Sequence, residues 1–403
     1  MIVLACSSGK FCGIPALIQA VARTLMIGMP LWVSGAAMAI EVKVTNLVTD
    51  DPLHHPASIT DSDLRNAWGM SSGPGTPFWV SNNGTNTSTI YSVNHANAVT
   101  KAGLTVTIPG TGPTGQAFAG VGSTAFNGNA FLFVNEDGTI SGWRSALGTT
   151  AEVLRTGLPN NIYKGVAIGT IGTDSYLYAA NFGTNHIDIL KGAPGAPDLG
   201  GNFTDPTLPA GFAPFNVENI NGAIYVTYAK QFSPGSKDEA DGPGLGYVSK
   251  FSLQGAFVQR IASADLLNAP WGLALAPASF GQLAGDLLIG NFGDGTITAV
   301  DTKTGKTIGL NGTDGKPVRI DGLWALKEGN GGSGGNADDI YFSSGPDGEV
   351  HGVFGVLTPV PEPSTCALLA LGILGLMFYW CPGGQSFSRM RRSFSTVHIG
   401  SNP

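Results

Sequence analysis

The chain has 403 residues, of which 59 are glycine, only 12% are charged, and the formal net charge is −7. An acidic balance argues against a nucleic-acid-binding protein, which normally carries a basic surface, and abundant glycine with little charge favours an all-β protein with many tight turns. The cysteines at 6, 12, 366 and 381 leave the body of the chain without a disulfide or a thiolate metal site.

The N-terminus carries the pattern of an export signal. Lys10 and Arg23 precede an apolar stretch at 24–39 that ends in Ala-Met-Ala. A basic region, an apolar core and small residues at the end are typical of a cleavable leader. Residues 1–39 are therefore predicted to be a signal peptide, and the alternative is a buried N-terminal helix.

The body of the chain repeats one unit, and its clearest copy runs over 270–301. A strand opens at Trp271, a second strand follows at 287–290, and a glycine-rich turn leads into a third strand at 296–300. Similar units open near 68, 121, 165, 216, 271 and 324. A nearly constant period of this length is what a four-stranded propeller blade requires. Residues 40–358 are therefore predicted to form an all-β, six-bladed β-propeller.

The sequence also predicts the inner strand of the second blade and the strand that closes the ring. The inner strand of the second blade is predicted at 123–126, before strands at 130–134 and 140–143. The alternating segment 41–48 precedes the first blade. Since each blade buries its apolar face only against its neighbours, the ring must close. Segment 41–48 is therefore expected to supply the outer strand of the sixth blade, beside 350–356.

The fourth unit contains an insertion at 230–245, where a polar, Gly- and Pro-rich segment replaces a tight turn. Long loops on a rigid scaffold are common places for function. The insertion is either such a functional loop or a solvated surface excursion, and the sequence leaves both interpretations open.

Polar residues recur where the predicted inner strands begin. The first residues of inner strands face one mouth of the propeller channel, and here they include Asn66, Asn216, Asn268 and Asp321. Amide and carboxylate oxygens of this kind can hold Ca²⁺, so these residues are candidate binding residues at the channel mouth. The alternative is that they cap the inner strands and bind channel water.

The C-terminal segment 359–403 has the organisation of a sorting signal. Pro361, Glu362 and Pro363 precede an apolar stretch at 366–381, predicted to be a transmembrane helix, and a basic tail follows. The segment resembles the PEP-CTERM sorting signal of Gram-negative bacteria that make exopolysaccharide. That resemblance implies export to the cell envelope and processing by an exosortase-type enzyme that recognises Pro361, Glu362 and Pro363. A plain C-terminal membrane anchor is the alternative.

The body also resembles a bacterial family of exported six-bladed propellers with an NHL- or gluconolactonase-like fold. The resemblance brings no reaction, substrate or metal with it, and the likeness to lactonases is an analogy of fold. It rests on Asn-Ala-Trp-Gly at 66–69, Pro-Phe-Trp-Val-Ser at 77–81, the segments 204–217 and 225–231, Asn-Ala-Pro-Trp-Gly at 268–272, and His-Gly-Val-Phe-Gly at 351–355.

These features together predict an exported binding module at the cell surface or in the extracellular matrix. Its expected partners are an exosortase-type enzyme, the membrane, and a polysaccharide or surface protein. One alternative is a Ca²⁺-dependent hydrolase or lactonase that acts at the channel mouth. A further alternative is a purely structural surface protein.

Overall fold

Short apolar strands and glycine-rich turns build a ring of six antiparallel sheets in the computed structural model, which describes residues 41–360. The prediction of a six-bladed β-propeller is confirmed. The expectations for the signal peptide at 1–39, for Pro361, Glu362 and Pro363, and for a transmembrane helix at 366–381 lie outside the described residues.

The blades follow one another along the chain. The second and fifth sheets have four strands and the third has three, whereas the first and fourth have five because each carries an extra two-residue strand, and the sixth has six. Blade by blade, the strands are β3 (Ala67–Ser71), β4 (Phe78–Asn82), β5 (Thr87–Val93), β6 (Val99–Lys101) and β7 (Val106–Thr107); β8 (Pro113–Phe118), β9 (Phe131–Asn135), β10 (Ile140–Trp143) and β11 (Glu152–Arg155); β12 (Tyr163–Ile171), β13 (Asp174–Asn181) and β14 (His186–Lys191); β15 (Phe212–Ile220), β16 (Ala223–Gln231), β17 (Glu239–Ala240), β18 (Gly246–Ser252) and β19 (Phe257–Ser263); β20 (Pro270–Leu275), β21 (Leu287–Asn291), β22 (Ile297–Val300) and β23 (Thr307–Gly309); and β24 (Asn311–Gly312), β25 (Leu323–Glu328), β26 (Ile340–Ser344) and β27 (Val353–Pro359), with β1 (Glu41–Thr49) and β2 (Ile59–Thr60) completing the sixth sheet.

Helical structure within residues 41–360 is confined to short turns. They are Asn83–Thr85, Ala125–Gly128, Ser145–Leu147, Ala278–Leu283 and Pro346–Glu349. In the described part of the chain no helix has the length and apolar character needed to cross a membrane.

The ring closes through the N-terminal strand. β1 pairs antiparallel with β27, from Val42 opposite Pro359 to Thr49 opposite Val353. Val42 and Val48 are 1% and 0% exposed, so this strand is part of the core. The predicted closure of the sixth blade by residues near 41–48 is confirmed.

The predicted inner strand of the second blade is wrong. It was expected at 123–126, but the inner strand is β8, Pro113–Phe118, and Ala125–Gly128 forms a turn with Phe126 at φ 52°. A Thr-Gly-Pro-Thr-Gly sequence has low strand propensity. The position nevertheless needs glycine, because a Cβ on Gly115 would lie 2.7 Å from the backbone nitrogen of Val166 on the next inner strand.

Glycines let the inner strands approach one another around the channel. A Cβ on Gly69 would lie 2.5 Å from Thr114 O, one on Gly165 would lie 2.0 Å from Asn216 Oδ1, and one on Gly272 would lie 2.7 Å from Trp324 O. Equivalent positions of successive inner strands thus face one another, so all six strands run in the same direction. We call the face where they begin the upper face and the face where they end the lower face.

The hydrophobic core lies between neighbouring blades as well as within each blade. Trp79 of the first blade stacks on Phe131 of the second, with ring centroids 3.9 Å apart. Such pairs couple each blade to the next and hold the inner strands in fixed positions around the channel.

Candidate functional site at the upper mouth

Aromatic side chains from three blades close the central channel. Trp68 and Trp324 stack with centroids 3.6 Å apart, and Phe292 stacks on the other side of Trp324 at 3.9 Å. Trp271 meets Trp324 edge-on at 6.1 Å. We call these four residues the aromatic plug. Trp68, Trp271 and Trp324 are buried and Phe292 is partly exposed, so side chains fill the channel at this level and it is not an open pore. We call the polar surface above the plug, at the upper mouth, the cup.

A chain of ion pairs lies above the plug. Lys164 is 3% exposed, its Nζ lies 4.9 Å from the centroid of the Trp68 ring, and it pairs with Glu136 Oε1 at 2.8 Å. Lys237, from the insertion of the fourth blade, reaches Glu136 Oε2 at 2.9 Å. Burial raises the pKa of Glu136, but the two ammonium groups outweigh burial and the net pKa is lowered. Glu136 is therefore a fixed anion.

Glu239 in β17 is a carboxyl of a different kind. It is half-buried, its carboxylate accepts a hydrogen bond from its own backbone N–H, and it makes no hydrogen bond or ion pair with another side chain of residues 41–360. Burial raises its pKa to about 7; the Lys164 charge opposes this effect, and the charges of Glu349 and Asp241 add to it. Near neutral pH this carboxyl can therefore both donate and accept a hydrogen bond.

Glu349 is held at the rim of the cup. Its Oε2 accepts a 2.7 Å hydrogen bond from Asn66 Nδ2, and burial raises its pKa although that hydrogen bond lowers it. The backbone supports this position through a left-handed run, with φ 56° at Asp347, 65° at Gly348 and 68° at Glu349. A non-glycine residue in this conformation is uncommon and often marks a functional site.

The four candidate residues from the sequence all lie at or near this face, but the structure gives each its own partners. Asn66 Oδ1 accepts from Trp324 Nε1 at 3.0 Å, and Asn216 Nδ2 donates to Trp271 O at 2.9 Å. Asn268 Oδ1 accepts from the backbone N–H of Gly242 at 2.8 Å. Asp321 is exposed and accepts from the backbone N–H of Asp347. Their role in ligand binding stays a prediction.

Calcium binding at the upper mouth stays a prediction. Calcium prefers six to eight oxygen ligands, and the side-chain oxygens of Asn66 and Asn268 each accept one hydrogen bond from a protein donor. Within residues 41–360, no group of three or more His, Cys, Asp or Glu side chains is placed to hold a metal ion.

The insertion folds over the cup. Gln231 Nε2 donates to Phe182 O at 2.7 Å, β17 returns to pair with β16, and Lys237 and Glu239 are thereby placed over the channel. Phe232, at the start of the insertion, is 78% exposed. The interpretation of the insertion as a solvated excursion fits its tip, whereas its second half belongs to the mouth.

Sequence reasoning missed the ionisable residues of this site, although a signal for two of them exists. Every second strand ends at the upper face, so the turn after it lies at the mouth. Aligning the six units on those turns would have selected Glu136 and Glu349. Lys164 has no comparable signal, because a buried lysine within a strand is identified only by its partners.

Comparisons with known proteins add a sorting motif and relatives. Residues 359–381, which include Pro361, Glu362 and Pro363, match the PEP-CTERM protein-sorting motif. This motif marks an exported protein that is processed by an exosortase-type enzyme. The chain is also 31% identical over 317 residues to "Uncharacterized protein R648" of Acanthamoeba polyphaga mimivirus, an alignment that covers 74% of this chain and 76% of that protein.

Two solved structures that resemble this chain in fold have low sequence identity to it. A streptogramin B lyase has a TM-score of 0.47 and 10% identity, covering 81% of this chain and 100% of its own. A PQQ-bound aldose sugar dehydrogenase from Streptomyces coelicolor has a TM-score of 0.45 and 15% identity, covering 79% and 98%.

Proposed function

Because the chain belongs to the same family as the mimivirus protein R648 and carries a PEP-CTERM motif, we propose that it is an exported saccharide-binding module of the cell envelope or extracellular matrix. The upper mouth binds the saccharide. The C-terminal segment attaches the propeller to the envelope, either through the membrane or through the product of exosortase processing.

The positions of the two chain ends support an orientation in which the upper mouth faces away from the envelope. β27 runs from the upper to the lower face, and Val360 N donates to Glu41 O at 2.8 Å, so both ends of the described chain lie together at the lower face. The sorting motif follows directly after β27. A tether at this point directs the upper mouth away from the envelope.

The chemistry of the cup indicates the class of ligand. A saccharide hydroxyl donates one hydrogen bond and accepts others, and the cup presents the exposed ammonium group of Lys237 and the carboxyl groups of Glu239 and Glu349. The observation that carries the proposal is the Glu239 carboxyl, which is half-buried and lacks a side-chain partner in residues 41–360. A half-buried carboxyl without a side-chain partner keeps unused hydrogen-bonding positions, and a bound hydroxyl would occupy them.

The test is a binding assay with the purified full-length chain in detergent and a panel of neutral polysaccharides: a glucan, a galactan and a mannan. We expect saturable binding of at least one neutral polymer. Glu239→Gln keeps the shape of the side chain but removes the charge, and we expect it to weaken binding by about tenfold, the effect of losing one charge-assisted hydrogen bond.

The matched control is Glu218→Gln, a partly buried carboxylate at the lower face, which should leave polysaccharide binding unchanged. If no polymer binds, the proposal is overturned, and a purely structural surface protein is the alternative that remains. Chain shortening of a bound polymer, followed by size-exclusion chromatography, would show that the cup is hydrolytic.

A further inference from the structure

The lower mouth contains a separate concavity. A cavity of about 380 Å³ lies between the ends of the first, fourth, fifth and sixth inner strands, and a second cavity of about 280 Å³ adjoins it at the ends of the second and third. We call the two together the lower crevice. Each is close to the size range of small-molecule sites, about 300–1,000 Å³. Glu218, Asn219, Lys327 and Ser72 line both cavities.

The lower crevice is separated from the upper mouth. Between it and the aromatic plug the channel narrows to a void of about 10 Å³ beside Asn216 and Trp271, which is at the lower limit of space for one water molecule. A ligand in the crevice therefore cannot reach Lys164 or Glu239, and the two mouths can be tested independently.

Most polar side chains of the lower crevice already form hydrogen bonds within the protein. Asn219 donates to Ile168 O and accepts from Gly222 N, and Glu328 Oε1 accepts from Leu275 N at 2.7 Å. Asn330 is engaged with four backbone groups, the carbonyls of Gly73 and Thr76 and the N–H groups of Gly332 and Gly334.

Glu218 and Lys327 differ from these residues. Their side chains are 31% and 27% exposed, and Lys327 Nζ stands 3.5 Å from Glu218 Oε1, too far for a strong hydrogen bond. Burial raises the pKa of Glu218, Lys327 lowers it, and the charge of Glu328 raises it again. Glu218 thus has one ammonium group at a long distance and a second carboxylate, that of Glu328, close enough to affect its pKa. The three side chains carry a net charge of −1, and the crevice has room for a second cation.

We propose that the lower crevice binds a small hydroxylated primary amine, of which an amino sugar is the simplest example. The ligand's ammonium group pairs with Glu218, within the field of Glu328. Its hydroxyls accept from Lys327. The apolar side chains of Leu273, Leu275 and Ile220 pack against the carbon skeleton.

Calorimetric titration of the full-length chain in detergent with glucosamine at pH 7 tests this proposal. Glucose has the same hydroxyls without the charge, and we expect it to bind at least about tenfold more weakly. Glu218→Gln should weaken glucosamine binding by a similar factor. Val44→Ala, at an exposed position of β1 outside both mouths, should have no effect.

A second variant separates recognition from a loss of folding. Lys327→Met removes the ammonium that competes for Glu218, so it should tighten the binding of ethylammonium, whereas Glu218→Gln should weaken it. Damage to the fold would lower binding in both variants. The proposal is overturned by the absence of saturable glucosamine binding, by equal binding of glucose, or by weaker ethylammonium binding in Lys327→Met. Each of these results leaves the saccharide site of the upper mouth unaffected.

Discussion

At the scale of single residues, the close packing of neighbouring inner strands depends on glycines, which have no Cβ. Gly69, Gly115, Gly165 and Gly272 each face the backbone or a buried side chain of the neighbouring inner strand at a distance that excludes a Cβ. The Trp-Gly pairs at 68–69 and 271–272 mark two of these positions in the sequence. The tryptophan fills the channel and the glycine allows the next strand to approach. The sequence marks the positions, but not the atom that each glycine meets.

Replacement of Gly272 tests this close approach. A Cβ at 272 would lie 2.7 Å from Trp324 O and 2.9 Å from Leu326 N, and neither backbone atom can move without shifting the sixth blade. We expect Gly272→Ala to lower the free energy of unfolding by about 1–3 kcal/mol, the usual cost of overpacking. Denaturant titration measures the change.

The matched control for this substitution is Gly309→Ala in β23. No atom lies within 4 Å of a Cβ built at 309, and its φ is not in the left-handed region. Alanine there should be neutral or stabilising by up to about 1 kcal/mol, because it restricts the unfolded chain. An equal loss in both variants would show that the close approach at 272 is not the cause.

At the scale of elements, the strands were predictable and the insertion was not. Strands β12, β13 and β14 fall where alternating apolar residues and the intervening turn place them. The insertion contains Ser, Gly, Pro and Asp without periodicity, so its course depends on tertiary partners. Lys237 on Glu136 and Gly242 on Asn268 fix it over the cup. Neither contact has a local signal.

The raised pKa of Glu239 makes the stability of this element depend on pH. The pKa is about 7 in the folded protein against an ordinary value of 4.5. The folded state therefore holds the proton more tightly than the unfolded state, and its stability falls as the pH rises from about 4.5 to about 7. Glu239→Gln removes this dependence.

Thermal melting of the wild type and Glu239→Gln across this range measures the effect. We expect the two to melt together near pH 4, and the variant to melt higher at pH 8 by roughly 1–3 °C. A difference that is constant with pH would exclude titration of Glu239 as its cause. A higher melting temperature at pH 8 also separates the expected loss of saccharide binding from unfolding.

At the scale of the whole molecule, the propeller is a closed ring whose last blade is completed by the first strand. The sequence predicted this closure because segment 41–48 alternates and a ring of blades has no other way to cover β27. It did not predict the contacts that secure the closure. Asp50, just after β1, accepts from Gly352 N at 2.8 Å and lies 3.0 Å from His351 Nδ1. These residues are about 300 positions apart, so only the closed ring brings them together.

If the closing strand is part of one cooperative unit, its core residue should control the stability of the entire ring. Val48 in β1 is fully buried, and truncation by Val48→Ala should cost about 1–3 kcal/mol through lost burial and a residual cavity. Val44 on the same strand is 39% exposed, and Val44→Ala should change stability by less than about 0.5 kcal/mol. Three of the seven tryptophans lie in the plug, in the first, fifth and sixth blades, so tryptophan fluorescence reports on tertiary packing that includes the channel, whereas far-ultraviolet circular dichroism reports on all strands. We expect one transition by both probes in Val48→Ala, shifted to lower temperature. Separate transitions would show that the sixth blade unfolds before the rest, and the closing strand would then be a local clasp that does not hold the ring together.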